Sequence, residues 1–132
     1  MGVQLPEKAL ALILAPNIAN IATVMPNGAP HVVPVWVDYD DGYLLINTAE
    51  GRQKLKNIRH DPRVALDIVD RHNVYQVLAL RGHVVEVTRE GADAHIDKLA
   101  KKYLGQDKYP SRAPGERRVI IRIEPDKLLG GR

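Results

Sequence analysis

The sequence predicts a mainly β protein with helices (α+β), in which six antiparallel strands close into a small barrel. Runs of β-branched and other apolar residues recur along the chain, and short turns rich in Gly, Pro, Asn and Asp separate most of them. This pattern is typical of strands linked by hairpins. Apolar residues make up 45% of the chain but aromatic residues only 5%, with no Phe, so aliphatic side chains must fill the core. The 132 residues fit a single domain, residues 1–132.

The first half of the chain predicts one helix followed by three strands in an antiparallel meander. We expect the helix over residues 6–15, because Pro6 suits a first helical position and Pro16 ends the apolar run. Turn residues that tight hairpins require lie at 26–28 and 40–42. The strands between these turns span residues 18–25, 31–39 and 43–48.

The second half predicts two helices and three more strands. A short helix over residues 51–59 and a longer one over 90–104 have apolar residues at helical spacing, and Gly105 caps the longer one. The strands span residues 63–69, 74–88 and 118–123. Gly82 lies within the longest strand and predicts a bulge or bend there.

The composition argues against several classes of site and location. Cysteine is absent, which excludes disulfides, thiolate nucleophiles and zinc–thiolate sites. The five His residues have no spacing typical of metal ligands, so we expect no metal site. The first residues lack the pattern of a secretory signal, and the apolar stretch at 9–16 is far shorter than the roughly 20 residues of a membrane span. We therefore expect a soluble cytoplasmic protein without a membrane partner.

The charges are distributed unevenly along the chain. Residues 1–50 carry one Lys and five acidic residues, whereas residues 51–132 carry 18 basic and 11 acidic residues. The basic half begins at Arg52. A basic patch of this local kind suits a phosphate-bearing small molecule, whereas a nucleic-acid groove usually needs a longer basic stripe. We expect a small-molecule substrate and no nucleic-acid partner.

Residues 47–57 carry the clearest functional pattern. A strand ends in polar residues, Gly51 provides a tight turn and a basic helix begins. The free N–H groups and the dipole at a helix start attract anions. Arg52 can donate two parallel hydrogen bonds to a phosphate, and Lys54 adds a second positive charge. The same spacing has an alternative interpretation, in which these basic residues only solvate one face of the helix.

An ordered set of motifs along nearly the whole chain resembles one protein family. The motifs are Val33-Pro34-Val35-Trp36-Val37, Asn47-Thr48-Ala49-Glu50-Gly51-Arg52-x-Lys54-x-x-Asn57, Asp61-Pro62-Arg63-Val64-Ala65, Gly91-Ala92-Asp93-Ala94-His95-Ile96-Asp97, Tyr103-Leu104-Gly105 and Tyr109-Pro110. Together they resemble the pyridoxamine 5′-phosphate oxidase-like, FMN-binding split β-barrel family. Within that family, the chain is similar to the branch of oxidoreductases that use the deazaflavin coenzyme F-420, written F420 below.

The resemblance implies a homodimer with two cofactor sites at the subunit interface. It places the flavin or deazaflavin ring along residues 33–36 and beside Asn47 and Thr48, and the phosphate at Arg52 and Lys54. The partner subunit would close the pocket through Tyr75, Gln76 or Tyr109. The cofactor-binding residues implied in this way are Val33, Pro34, Val35, Trp36, Asn47, Thr48, Ala49, Arg52, Gln53, Lys54, Asn57, Tyr75 and Gln76. No catalytic side chain is assigned, because such a cofactor carries the hydride chemistry itself.

Three functions remain open from the sequence. The first is an oxidoreductase that uses reduced F420 to transfer a hydride to an electron-poor small molecule. The second is an FMN-dependent oxidase or reductase on the same barrel, and the third is a carrier that binds the cofactor without turnover. Trp36 also has two interpretations, since it either lines the cofactor ring or packs in the core or the dimer interface.

Overall fold

The structure is a computed structural model that describes residues 2–129, and it contains seven strands and three helices. In chain order these are α1 (Glu7–Leu14), β1 (Ala19–Val24), β2 (Pro30–Val35), β3 (Asp38–Asp40), β4 (Tyr43–Ala49), α2 (Gln53–His60), β5 (Arg63–Val69), β6 (Val77–Thr88), α3 (Ala92–Leu104) and β7 (Arg118–Leu128). None of these three helices is long and apolar enough to cross a membrane. The predicted elements are present with ends shifted by a few residues, except that two strands take the place of the one expected over residues 31–39.

All seven strands form one antiparallel sheet that closes on itself. The hydrogen-bonded order is β2-β1-β5-β6-β7-β4-β3. The two strands at the ends of this order, β2 and β3, are consecutive in the chain and are separated only by Trp36 and Val37. One bent segment therefore pairs with β1 through its first part and with β4 through its second. This arrangement confirms the predicted antiparallel barrel.

The predicted strand count of six is wrong, because the strand expected over residues 31–39 is interrupted. At the interruption, the Val37 N–H donates to the Tyr103 hydroxyl at 3.1 Å. The Val37 carbonyl accepts from Lys102 Nζ at 2.6 Å. Both backbone groups of Val37 are thus bonded to side chains of α3 and not to a neighbouring strand. Two short strands, β2 and β3, replace the single predicted one.

The core lies inside the barrel and is aliphatic, as the composition predicts. Alternate residues of β5 point inward, and facing positions meet their partners in register, such as Leu66 opposite Ile21 of β1. Strand β4 is buried on both faces, because α3 packs over the outer face of β4 and β7. The largest fully buried side chains are Ile13, Ile21, Leu44, Ile46, Leu55, Ile68, Leu80, Leu99, Ile121, Ile123, Val37 and Val119.

The bulge predicted at Gly82 is confirmed, since the register between β6 and β7 shifts at this residue. A Cβ atom built on Gly82 would lie 2.4 Å from the Glu124 carbonyl oxygen, so the two backbones approach too closely there for any side chain. Strand β6 begins at Val77, later than predicted, because the Gln76 N–H bonds to the Asn73 carbonyl in a turn. Strand β7 continues beyond its predicted end and pairs with β6 as far as Leu128.

Candidate functional site

A cavity of about 300 Å³ lies where β2, β4, α2 and β7 meet. This volume is at the lower end of the range for small-molecule sites. The cavity opens to solvent on one side, so it can enclose part of a larger ligand. Its lining residues are Ile18, Pro34, Val35, Trp36, Asn47, Thr48, Arg52, Lys54, Ile96, Tyr109 and Arg118.

One wall of the pocket is aromatic. The Trp36 ring stacks on Tyr103, with 5.2 Å between ring centroids and 5° between planes. Tyr109 meets the Trp36 ring edge-on at 5.8 Å. The Tyr103 hydroxyl donates to the Asn17 carbonyl at 2.7 Å and accepts from the Val37 N–H, which fixes the ring beneath Trp36. The structure therefore places Trp36 on the pocket wall and holds its plane in one orientation.

Three cationic side chains, Arg52, Lys54 and Arg118, also line the pocket, and none of the described lining residues is acidic. Burial lowers the pKa of Lys54, and the positive charges of Arg52 and Arg118 lower it further. Like charges gathered at a partly buried site repel one another, and a bound anion relieves that repulsion. The lining is therefore electrostatically suited to an anionic group.

Nearby acidic residues neutralise this cationic group only in part. Both carboxylate oxygens of Glu50 accept from Arg59, at 2.6 and 2.9 Å, so Glu50 is engaged away from Arg52. Glu116 accepts a hydrogen bond from Arg118 Nη1 and a second from the Ala113 N–H. Arg118 thus has one carboxylate partner, and the pocket keeps a positive charge.

The backbone before α2 adds a further anion-attracting feature. Gly51 has a φ of +94°, a left-handed conformation that tolerates few side chains, and it turns the chain sharply after β4. Helix α2 then begins at Gln53, with Arg52 as the N-cap residue and no side chain capping the end. The first N–H groups of a helix lack intrahelical acceptors. They lie next to Arg52 and Lys54, as residues 47–57 predict.

A buried polar network lies behind the pocket, between β3, β4 and α3. Asp38 accepts from His95 Nε2 at 3.0 Å, from Lys98 Nζ at 3.1 Å and from the Tyr39 N–H at 2.8 Å. Burial by itself would raise the pKa of Asp38, but these three donors outweigh it and hold the pKa well below its usual value. Asp38 is therefore a carboxylate throughout the neutral pH range.

Seven of the residues predicted to bind a cofactor line this one pocket: Pro34, Val35, Trp36, Asn47, Thr48, Arg52 and Lys54. Val33 packs against the core, Ala49 is buried, and Asn57 is fully buried and donates to Thr23 Oγ1 at 2.9 Å. Gln53 bonds to the Asn57 side chain at 2.8 Å. These four residues lie under or beside the lining and do not form it.

Tyr75 and Gln76 lie in the connection between β5 and β6. Tyr75 is 83% exposed, and Gln76 lines a separate small cavity beside α1. The family resemblance gives both residues as candidates for closing the pocket of the partner subunit. Their role there stays a prediction.

Four lining residues were missing from the predicted set: Ile18, Ile96, Tyr109 and Arg118. The family resemblance gives Tyr109 as one of three residues through which the partner could close the pocket, and the structure places it in the lining of its own chain's pocket. Arg118 begins β7, in which apolar and polar residues alternate, and its side chain lies on the outer face of the barrel. The outer face is covered by α3 at that point, so Arg118 is only 6% exposed. The alternation within one strand carries no signal for that covering helix.

One group of possible metal ligands occurs among residues 2–129, formed by His83, Glu124 and Asp126, whose ligand atoms lie within 4.8 Å of one another. His83 Nδ1 lies 2.9 Å from Asp126 and Nε2 lies 3.8 Å from Glu124, so the two ring nitrogens face the two carboxylates. The group lies outside the lining of the pocket.

Comparison with known proteins identifies the family. A family model described as pyridoxamine 5′-phosphate oxidase matches residues 5–130. The chain belongs to this family. This pyridoxamine 5′-phosphate oxidase family member is 26% identical over 130 residues to an F420H(2)-dependent biliverdin reductase of Mycobacterium tuberculosis, across 96% of this chain and 88% of the relative.

Solved structures agree with this assignment. A structure described as an F420 reductase superposes with a TM-score of 0.83 at 31% identity, covering 95% of this chain and 98% of the other. A FAD-binding protein of Mesorhizobium loti superposes with a TM-score of 0.66 at 18% identity, covering 95% and 92%. At that lower identity the similarity shows only that the fold is shared.

Proposed function

We propose that this family member is an oxidoreductase that binds F420 in the pocket beside Trp36 and uses the reduced cofactor to reduce an electron-poor small molecule. The observation that carries the proposal is the pocket itself, which joins an aromatic wall to a cluster of three cations. A flat ring linked to an anionic tail matches both parts. Two of the relatives compared above, which are described as F420-dependent or F420 reductases, support the choice of cofactor.

The pocket residues have distinct proposed roles towards such a cofactor. Pro34, Val35 and Trp36 would contact the ring, while Arg52, Lys54 and the free N–H groups of α2 would hold the phosphate. The residues beneath the lining, Val33, Ala49, Gln53 and Asn57, would support these contacts from below. Charge-assisted hydrogen bonds contribute about 1.5–3 kcal/mol each, so two of them would supply about 3–6 of the roughly 8 kcal/mol that micromolar binding requires, and contacts to the ring would supply the rest.

When bound, reduced F420 supplies the hydride, and the second hydrogen of the reduced product comes from solvent as a proton. The protein's contribution is to orient the ring and to leave one of its faces accessible. We assign no side chain of the described lining as proton donor. We propose a conjugated, electron-poor acceptor as the substrate class.

Titration of the purified protein with F420, followed by cofactor fluorescence, tests the proposal. We expect F420 fluorescence to be quenched in a saturable way. We also expect reduced F420 to be oxidised anaerobically when biliverdin or a quinone is added, which is measured as the return of the absorbance of oxidised F420. FMN is titrated in parallel. If the purified protein is yellow and releases FMN on denaturation, its cofactor is FMN and not F420. Tight F420 binding without any turnover would indicate a carrier.

We further infer that the protein acts as a homodimer in which each subunit closes the pocket of the other. The pocket is open on one side. Ile18 on its rim is 46% exposed and Val32 on the adjacent strand is 64% exposed. Apolar side chains at the open side of a pocket are typical of surfaces that a partner covers. Tyr75 and Gln76 are the residues we propose that the partner contributes.

A further inference from the structure

A continuous chain of hydrogen bonds connects α3 to the pocket through the Asn47 side chain. The Asn47 amide nitrogen faces two acceptors, the Ala92 carbonyl at 2.8 Å and His95 Nδ1 at 3.2 Å. Its amide oxygen accepts from Arg118 Nε at 2.8 Å. Asn47, His95 and Arg118 are each buried, with 9, 8 and 6% of their surface exposed. The amide thus uses both of its N–H groups to reach α3 and its oxygen to hold Arg118.

The charges in this chain fix its direction. Asp38 is a carboxylate and can only accept, so His95 must carry its proton on Nε2, which lies 3.0 Å from Asp38. The Arg118 guanidinium can only donate, so the Asn47 amide oxygen must face it. The NH₂ end of the amide then faces His95 Nδ1, which must be the acceptor. Lys98, 70% exposed at its side chain, holds the other end of the chain by donating to Asp38.

We propose that His95 is a positioning residue that acts through the Asn47 amide to hold the Arg118 guanidinium at the pocket. Asn47 binds the Nε of Arg118, while Glu116 binds its Nη1 and the Tyr109 ring lies 5.1 Å from its Cζ. Loss of the Asn47 contact would let the guanidinium turn towards Glu116. The inference deepens the proposed function and rests on it only where Arg118 is taken to contact the cofactor's anionic part.

Two substitutions at His95 separate the two ends of its ring. In His95→Asn, the amide oxygen occupies the place of Nδ1 and can accept from Asn47, while the bond to Asp38 is lost. In His95→Gln, the amide nitrogen occupies the place of Nε2 and can donate to Asp38, while the acceptor for Asn47 is lost. The two variants remove opposite hydrogen bonds. Asn is one methylene shorter than Gln, so the variant that loses more packing is the one expected to keep Arg118 in place.

The first readout is the rate at which the Arg118 Nε–H exchanges with solvent, measured by ¹⁵N NMR in the absence of cofactor. We expect slow exchange in the wild type and in His95→Asn, and exchange at least about tenfold faster in His95→Gln, from the loss of one buried hydrogen bond. The matched control is His83→Gln, which removes a histidine–carboxylate contact of the same kind outside the pocket. It should leave Arg118 exchange unchanged.

The second readout is F420 affinity, which we expect to fall about tenfold in His95→Gln and to stay close to the wild-type value in His95→Asn. A merely structural role predicts that both variants change exchange and affinity in step with their melting temperatures, and that result overturns the inference. If the wild type binds no F420, the proposed function fails while the exchange data still decide the role of His95.

A third measurement needs no variant, so it remains decisive even if both substitutions prevent folding. Two-bond ¹H–¹⁵N correlations of the wild-type imidazole report which nitrogen carries the proton. We expect the Nε2–H form for His95. The Nδ1–H form would place a donor opposite the Asn47 NH₂ group, and this would overturn the proposed direction of the chain.

Discussion

At the scale of single residues, the pocket concentrates like charges that the folded chain only partly compensates. Lys54 is partly buried near Arg52 and Arg118, and its lowered pKa records the cost of that arrangement. The nearby Glu50 is paired with Arg59, outside the cluster. A negatively charged ligand would therefore be attracted by positive charges that the acidic residues of the chain leave partly unneutralised.

Replacing Arg52 and Lys54 together by Ala should weaken binding of F420, or of FMN, by at least about tenfold, because charge-assisted hydrogen bonds are lost. Isothermal titration measures the change. The matched control is Lys56→Ala with Arg63→Ala, which removes the same net charge from residues outside the pocket lining. Equal affinity in the wild type and the pocket variant would remove the phosphate site from the proposal.

Affinity for F420 should also decrease as pH rises through the lowered pKa of Lys54, below the usual lysine value of 10.5. The charged amine is the form that binds an anion, and a bound anion favours protonation, so the complex retains the proton to higher pH than the free protein. Binding measured from neutral to alkaline pH gives the slope. Lys54→Arg should flatten it, since a guanidinium stays charged throughout. A slope that persists in this variant would assign the titration to another group.

The sequence predicted the part of the site that is local and missed the part that is assembled. The anion-binding pattern of residues 47–57 can be recognised from the sequence, because the strand end, the glycine turn and the basic helix start are contiguous. Arg118 lies far along the chain and reaches the same pocket only because β7 pairs with β4, with Arg118 opposite Ala49. Its burial depends on a helix from a third segment. Neither the pairing of β7 with β4 nor the burial of Arg118 can be recognised from a short local segment of the sequence.

At the scale of elements, the break between β2 and β3 shows the same limit. Residues 31–39 have a uniform β-type composition, and a single strand is the simplest prediction from it. The groups that interrupt the strand, Tyr103 and Lys102, lie on α3, more than sixty positions away. The other strands and all three helices depend on local periodicity, turns and caps, and they were predicted to within a few residues.

Tyr103→Phe should destabilise the protein by about 1–3 kcal/mol, because the Val37 N–H, which lies in a fully buried residue, loses its acceptor. The Phe ring can still stack beneath Trp36, so the aromatic wall should persist. Urea unfolding gives the change in the free energy of unfolding, and Tyr43→Phe, whose hydroxyl lies away from this junction, is the control. Equal losses in the two variants would show that the hydroxyl of Tyr103 does not hold the break.

At the scale of the whole molecule, the interruption is what allows the barrel to close around a pocket. The segment containing Trp36 and Val37 passes from one end of the strand order to the other, so its side chains lie at the seam. The aromatic wall belongs to this seam, and the cations come from α2 and β7 on the neighbouring elements. Composition and turn spacing favoured a closed or nearly closed barrel, in which few strand edges stay exposed.

If two subunits complete each pocket, variants that damage opposite sides of the site should complement each other. Neither the Arg52→Ala, Lys54→Ala variant nor a Tyr75→Ala, Gln76→Ala variant should bind F420 well alone. After the two are mixed, unfolded and refolded together in equal amounts, half of the dimers are mixed and each holds one intact site, so about a quarter of all sites should recover wild-type affinity. Light scattering should give twice the mass of one chain throughout. A monomer mass, or mixtures that bind no better than the separate variants, would show that the pocket is completed within one chain.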